Sequence, residues 1–141
     1  ELEMKQRTVL LSLCEASNAF LADLTETLGP GANGVNVNTR AGVRHTQIIG
    51  SQKDGLLVEK NGAARSLGWK DIEPLSLLVL HRTLIDASES VMQKERRLLQ
   101  SASFGWLNGL KPEADGIAEE LIVLKPSFGV EWEQMKEVLG E

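Results

Sequence analysis

The run from Val43 to Pro74, VRHTQIIGSQKDGLLVEKNGAARSLGWKDIEP, decides how this chain folds. It is interrupted at Lys53-Asp54-Gly55 and at Asn61-Gly62, pairs that supply the positive backbone angles tight turns between antiparallel strands need. The stretches Val43 to Gly50, Leu56 to Lys60 and Ala63 to Trp69 around these breaks therefore read as three strands of a meander. Three short strands do not hold together alone in water, so helices must cover one face. Asp71 is placed to start such a helix, and Pro74 fits its first turn, where a missing N–H is not required.

Working outward, Leu75, Leu77, Leu78, Val79, Leu80, Leu84 and Ile85 are apolar on nearly every side of a helix, the pattern of a central, buried one. Upstream, Leu10, Leu13, Leu21, Leu24 and Leu28 recur mostly three and four apart among charged residues, which predicts an amphipathic helix over residues 2–28. Gly29-Pro30-Gly31 ends it, and residues 32–42 read as a loop with at most one weak edge strand. Downstream, one helix is expected from Glu89 to about Leu107, closing at Asn108-Gly109. A second is opened by Pro112 and ended by Lys125-Pro126, and a short last one carries Phe128, Val130, Trp132, Met135, Val138 and Leu139. The expectation is one α+β domain over residues 1–141. It has an N-terminal helix, a three- to four-stranded antiparallel meander and about four further helices around Leu24, Ile48, Leu56, Val58, Leu67, Trp69, Leu75, Leu78 and Val79.

The composition narrows the chemistry. The 141 residues are 42% hydrophobic and 25% charged, enough apolar material for a core without metal or disulfide. One Cys and two His exclude a disulfide framework, a Cys-x-x-Cys centre and a zinc site built on this chain alone. No apolar run reaches the roughly 18 residues of a membrane span, so no membrane insertion is expected. Glu1 to Gln6 lacks the pattern of a signal peptide, the compartment is not readable, and the chain reads as an excised part of a longer protein.

Charge is unevenly spread. Residues 33–70 hold six basic and two acidic side chains, whereas the whole chain carries −5. Arg44, His45, Lys60, Arg65 and Trp69 are accordingly the candidate ligand-binding residues: cations for phosphate, carboxylate or an acidic protein surface, with a ring for a sugar. The plainer account of the cations is that they keep strand edges from pairing with other chains. No aromatic side chain interleaves with the cations, and stacking on single strands would require one, so nucleic acid is not an expected partner.

Catalysis finds no assembled centre. Gly29 to Gly34 lacks the Gly-Lys-Ser/Thr ending of a phosphate loop and reads as a linker. No Gly-x-Ser-x-Gly elbow presents a serine, His81 reads as a satisfied core or boundary residue, and Glu119, Glu120, Glu131 and Glu133 read as solvated helix faces. Cys14 reads as a small buried hydrophobe, and Trp69, Trp106 and Trp132 as rings sealing helices against the sheet. No catalytic residue, metal or cofactor is expected.

The segment Asp54-Gly55-Leu56, Asn61-Gly62 and Leu67-Gly68-Trp69-Lys70-Asp71-Ile72-Glu73-Pro74-Leu75-Ser76-Leu77-Leu78-Val79-Leu80 resembles an uncharacterised accessory module of large multidomain bacterial proteins. In that module a β-meander leads through a Trp into a leucine-rich helix and helical hairpins. The resemblance covers residues 43–85 and implies no chemical group. Ala114, Leu121 and Pro126 are similar in spacing to the second helix of a tetratricopeptide repeat, although the middle position is small in that family and no second copy follows at 34 residues. The spacing supports an antiparallel helix pair closed by Pro126, and the function expected of the chain is that of a noncatalytic accessory or protein-interaction domain of a longer bacterial polypeptide. It would engage another protein, or another region of the parent chain, through the sheet's outer face or a groove of the helical hairpin. Apolar faces at Phe104, Trp106 and Leu107 leave room for a homo-oligomer. The alternative is a binding module for an anionic or carbohydrate ligand on the basic meander.

Overall fold

The structure is a computed structural model that describes residues 1–28 and 35–140; the Gly29 to Gly34 linker reading lies outside the described residues. The fold is α+β, and the described residues group into two compact units. The first helix, α1 (Leu2–Thr27), contributes to both.

The unit formed by Leu21–Leu84 holds the meander. Strands β3 (Ile48–Gln52), β4 (Gly55–Lys60) and β5 (Ala63–Gly68) pair antiparallel in that order. Val58 opposes Ile48 on one side and Arg65 on the other, and Leu56 opposes Leu67. Because side chains alternate along a strand, Leu56, Val58 and Lys60 share a face with Ala63, Arg65 and Leu67. Leu56 and Val58 are wholly buried, so this is the core face. At the β4–β5 turn, Asn61 (φ 53°) and Gly62 (φ 79°) both adopt the positive angles their sequence announced. Asp54 and Gly55 do not adopt the positive angles expected of them, because Gly55 already opens β4 as extended strand; it is fixed by a different constraint, a Cβ there lying 1.8 Å from the Leu67 carbonyl oxygen.

The expected strand from Val43 to Gly50 is in fact two. A register shift between Ile48 and Gly50 ends β3's regular pairing, and β2 (Arg44–His45) pairs instead with β1 (Val37–Asn38) in a separate ribbon. That ribbon is tied to the segment ahead of the next helix: Thr39 bridges Ile72, the Glu73 N–H donates to the Asn38 carbonyl, and the Asn38 N–H donates to Ser76 Oγ. These bonds hold Asp71 in a short 3-10 turn (Trp69–Asp71), so α2 (Pro74–Asp86) starts at Pro74 and not at Asp71.

In this unit Leu24, Ile48, Leu56, Val58 and Leu78 are buried as the pattern predicts. Leu75 and Val79, one turn apart on α2, are 46% and 51% exposed, against expectation, because the packed stripe of Leu77, Leu78, Leu80, His81 and Leu84 leaves the opposite side of the helix uncovered. Leu67 and Trp69 are only half-buried, since β5 is an edge strand and Trp69 lies beyond its end.

The other unit comprises Glu1–Phe20 and Ile85–Glu141. Helix α3 (Val91–Leu107) is capped by Ser90, whose hydroxyl accepts from the Gln93 N–H. It turns at Gly109 (φ 78°) into α4 (Lys111–Leu124), and α5 (Phe128–Val138) follows. Fully buried Ala102, Ala114 and Ala118 lie on the two helices of the hairpin. Phe20 stacks on Phe104 at 4.1 Å between ring centroids, and Trp106 meets Trp132 edge-on at 5.6 Å. The Trp132 indole N–H donates to Asp115 Oδ1 at 2.8 Å. Trp106 and Trp132 thus seal helix against helix, not helix against sheet. Phe104 and Trp106 are buried, which removes two of the three residues expected to form a self-association face. Cys14 is exposed, not buried: Leu13 and Phe20 face inward, and Cys14, about 100° further round the helix than Leu13, joins exposed Leu10 and Leu11.

Candidate functional site

The five candidate ligand-binding residues do not form one cluster. In the β1–β2 ribbon, His45 opposes Val37 and both are buried, while Arg44 points to the exposed side, its Nε donating to Asn38 Oδ1 at 3.3 Å. Trp69 follows the end of β5 where its N–H donates to the Asp54 carbonyl. Lys60 and Ala63 close the opposite end of that hairpin, roughly 20 Å away at about 3.3 Å per residue. Trp69 therefore shares no surface with Lys60, and Arg44 points away from the side that His45 takes.

His45, Lys60 and Arg65 do come together. The register sets Lys60 and Arg65 on the core face of the meander, at its hairpin end, and β2 packs against β4. Burial pushes the His45 imidazole below its usual 6.5, and the charges of Lys60 and Arg65 push in the same direction. His45 Nδ1 is buried without a hydrogen-bond partner, an arrangement that ordinarily costs about 1–3 kcal/mol.

The second histidine is different. His81, wholly buried on α2, lies 2.8 Å from Asp23 Oδ2 on α1, which is the satisfied core histidine its apolar surroundings predict. Glu119, Glu120 and Glu133 are exposed, Glu133 pairing with Lys136 at 3.2 Å. Among the described residues, no three His, Cys, Asp or Glu side chains are grouped as metal ligands, and no helix is long and apolar enough to cross a membrane.

The helical unit carries a feature that charge counting missed. A trough of about 360 Å³ is floored by Val9, Leu13, Leu99, Phe128, Trp132 and Met135. A second hollow of about 650 Å³ shares Thr8, Val9, Glu131 and Met135 with it and continues to Glu1 and Val138. The α1 side of this trough runs from Glu1 to Ala16, roughly 22 Å at 1.5 Å per residue. Helix α5 lines the other side in the opposite direction, and the Gln6 amide donates to the Val138 carbonyl at 3.1 Å. Glu1, Glu131 and Glu137 stand along the trough against one cation, Lys5, in a unit whose sequence holds fourteen acidic and eight basic residues. The signal was present in α1, where small or polar Thr8, Ser12 and Ala16 alternate with Val9 and Leu13. It is too weak to read without knowing that α5 lies alongside.

No protein-family model matches this chain, and no curated protein or solved structure is significantly similar to it.

Proposed function

We propose that this chain is a noncatalytic protein-interaction module whose helical unit receives an amphipathic helix with basic flanks. The observation that carries the reading is the elongated trough between α1 and α5, apolar along its floor and acidic along its lip. Two antiparallel helices leaving an open apolar seam offer ridges and grooves to a third, and the seam's length suits three to four helical turns. Burial of apolar side chains on Leu13, Leu99 and Met135 supplies affinity, while Glu131, Glu1 and Glu137 select a partner carrying Lys or Arg and set its orientation.

The test is a calorimetric titration with a designed peptide of Leu and Lys at helical spacing, against its Leu and Glu counterpart. The Lys peptide binds the wild type, and more weakly as salt rises. The Glu peptide does not bind. Leu99→Lys, at a position already 39% exposed, keeps the fold and reduces affinity at least about tenfold. Equal binding of both peptides, or full affinity in Leu99→Lys, refutes the reading, as does a chain whose trough is filled by a second copy of itself at assay concentration.

A further inference from the structure

We propose that His45, Lys60 and Arg65 form a receptor for a small tetrahedral oxyanion, a phosphate group, at the hairpin end of the meander. The site is separate from the helical trough and uses only residues of the Leu21–Leu84 unit. Three independent features meet there. Strand register puts the Lys60 and Arg65 side chains on one face of β4–β5, one residue pair apart on the diagonal. The β1–β2 ribbon turns His45 inward while sending Arg44 out, and β2 packs against β4. His45 Nδ1 is buried with no partner.

The chemistry of the three groups is complementary. A guanidinium offers a planar fork of donors and an ammonium offers three more, giving two positive charges for a dianion. A neutral imidazole in the Nδ1–H form adds a donor without adding charge, and the two cations disfavour the charged imidazole. The neighbouring carboxylate on β4, Glu59, is on the opposite face of the strand, where it does not compete with an anion for Lys60 and Arg65. Trp69, at the far end of the sheet, takes no part, so a sugar stacked on it is not the ligand of this site.

The experiment follows the His45 ring nitrogens by NMR while inorganic phosphate is added at constant ionic strength, the His81 ring serving as internal reference. Saturable shifts at His45 with none at His81 are expected, and Lys60→Gln with Arg65→Gln weakens binding at least about tenfold. Arg65 is exposed, so Arg65→Gln alone preserves the fold and carries the test should the double variant not. Phenyl phosphate as a second probe separates an ester-borne phosphate, which binds more tightly than the free ion, from free phosphate, which binds at least as well; either order supports the site. Shifts that chloride reproduces, or phosphate affinity unchanged in the variants, overturn it.

Discussion

His81 Nε2 lies 2.8 Å from Asp23 Oδ2, joining the middle of α2 to the last turns of α1 within one unit. The imidazole has no solvent access, so its polar atoms depend on partners inside the protein. Asp23→Ala leaves that nitrogen without its carboxylate and is expected to destabilise by about 1–3 kcal/mol. A lowered urea midpoint with unchanged slope is the signature; an unshifted midpoint shows that the pair does not hold α1 to α2.

Two glycines make opposite predictions from the same substitution. Gly55→Ala drives a Cβ into the Leu67 carbonyl, which belongs to the paired strand and cannot move without breaking the β4–β5 ladder, at a cost of about 1–3 kcal/mol. Gly116→Ala sits in the interior of α4 with nothing within 4 Å of the new methyl group and is expected to stabilise by about 0.5–1 kcal/mol. Thermal melts of the two variants should move to opposite sides of the wild type.

The sign of the pH dependence at His45 follows from its depressed folded-state pKa. Burial, then Lys60 and Arg65, favour the neutral ring in the folded protein, whereas the unfolded ring titrates near 6.5. The unfolded chain therefore takes up the proton first, and this site's contribution, complete above 6.5, is lost as pH falls from 6.5 through the folded-state value. Urea midpoints measured across that window should fall more steeply for wild type than for His45→Asn. Parallel slopes would show that the His45 imidazole does not titrate under the influence of Lys60 and Arg65.

How much of this was legible in the residues depends on the range of the interaction. The turn at Asn61-Gly62 and the stops at Asn108-Gly109 and Lys125-Pro126 are local backbone chemistry, and the meander and the three C-terminal helices fall where those signals put them; the break before Gly55 is also in its expected place, though without the positive angles expected there. The division of Val43 to Gly50 between two sheets was not legible, because it turns on Thr39 meeting Ile72, a bridge between residues 33 apart in the chain. Burial was legible for Leu56 and Val58, whose strand alternates, and misread for Leu75, Val79 and Cys14, where a helix's inward stripe is fixed only by what it packs against. The candidate ligand residues were found by charge, yet charge says nothing of facing: register kept Lys60 and Arg65 with His45 and separated Arg44 and Trp69. The trough needed two helices more than a hundred residues apart in the chain.

Residue-by-residue amide mapping of the basic amphipathic peptide on the full chain tests the central reading most directly. Perturbations are expected at Thr8, Val9, Ser12, Leu99, Glu131 and Met135, with the meander silent and the response abolished by Leu99→Lys. Perturbations centred on Leu75 and Val79, or scattered over the surface without saturation, would contradict it.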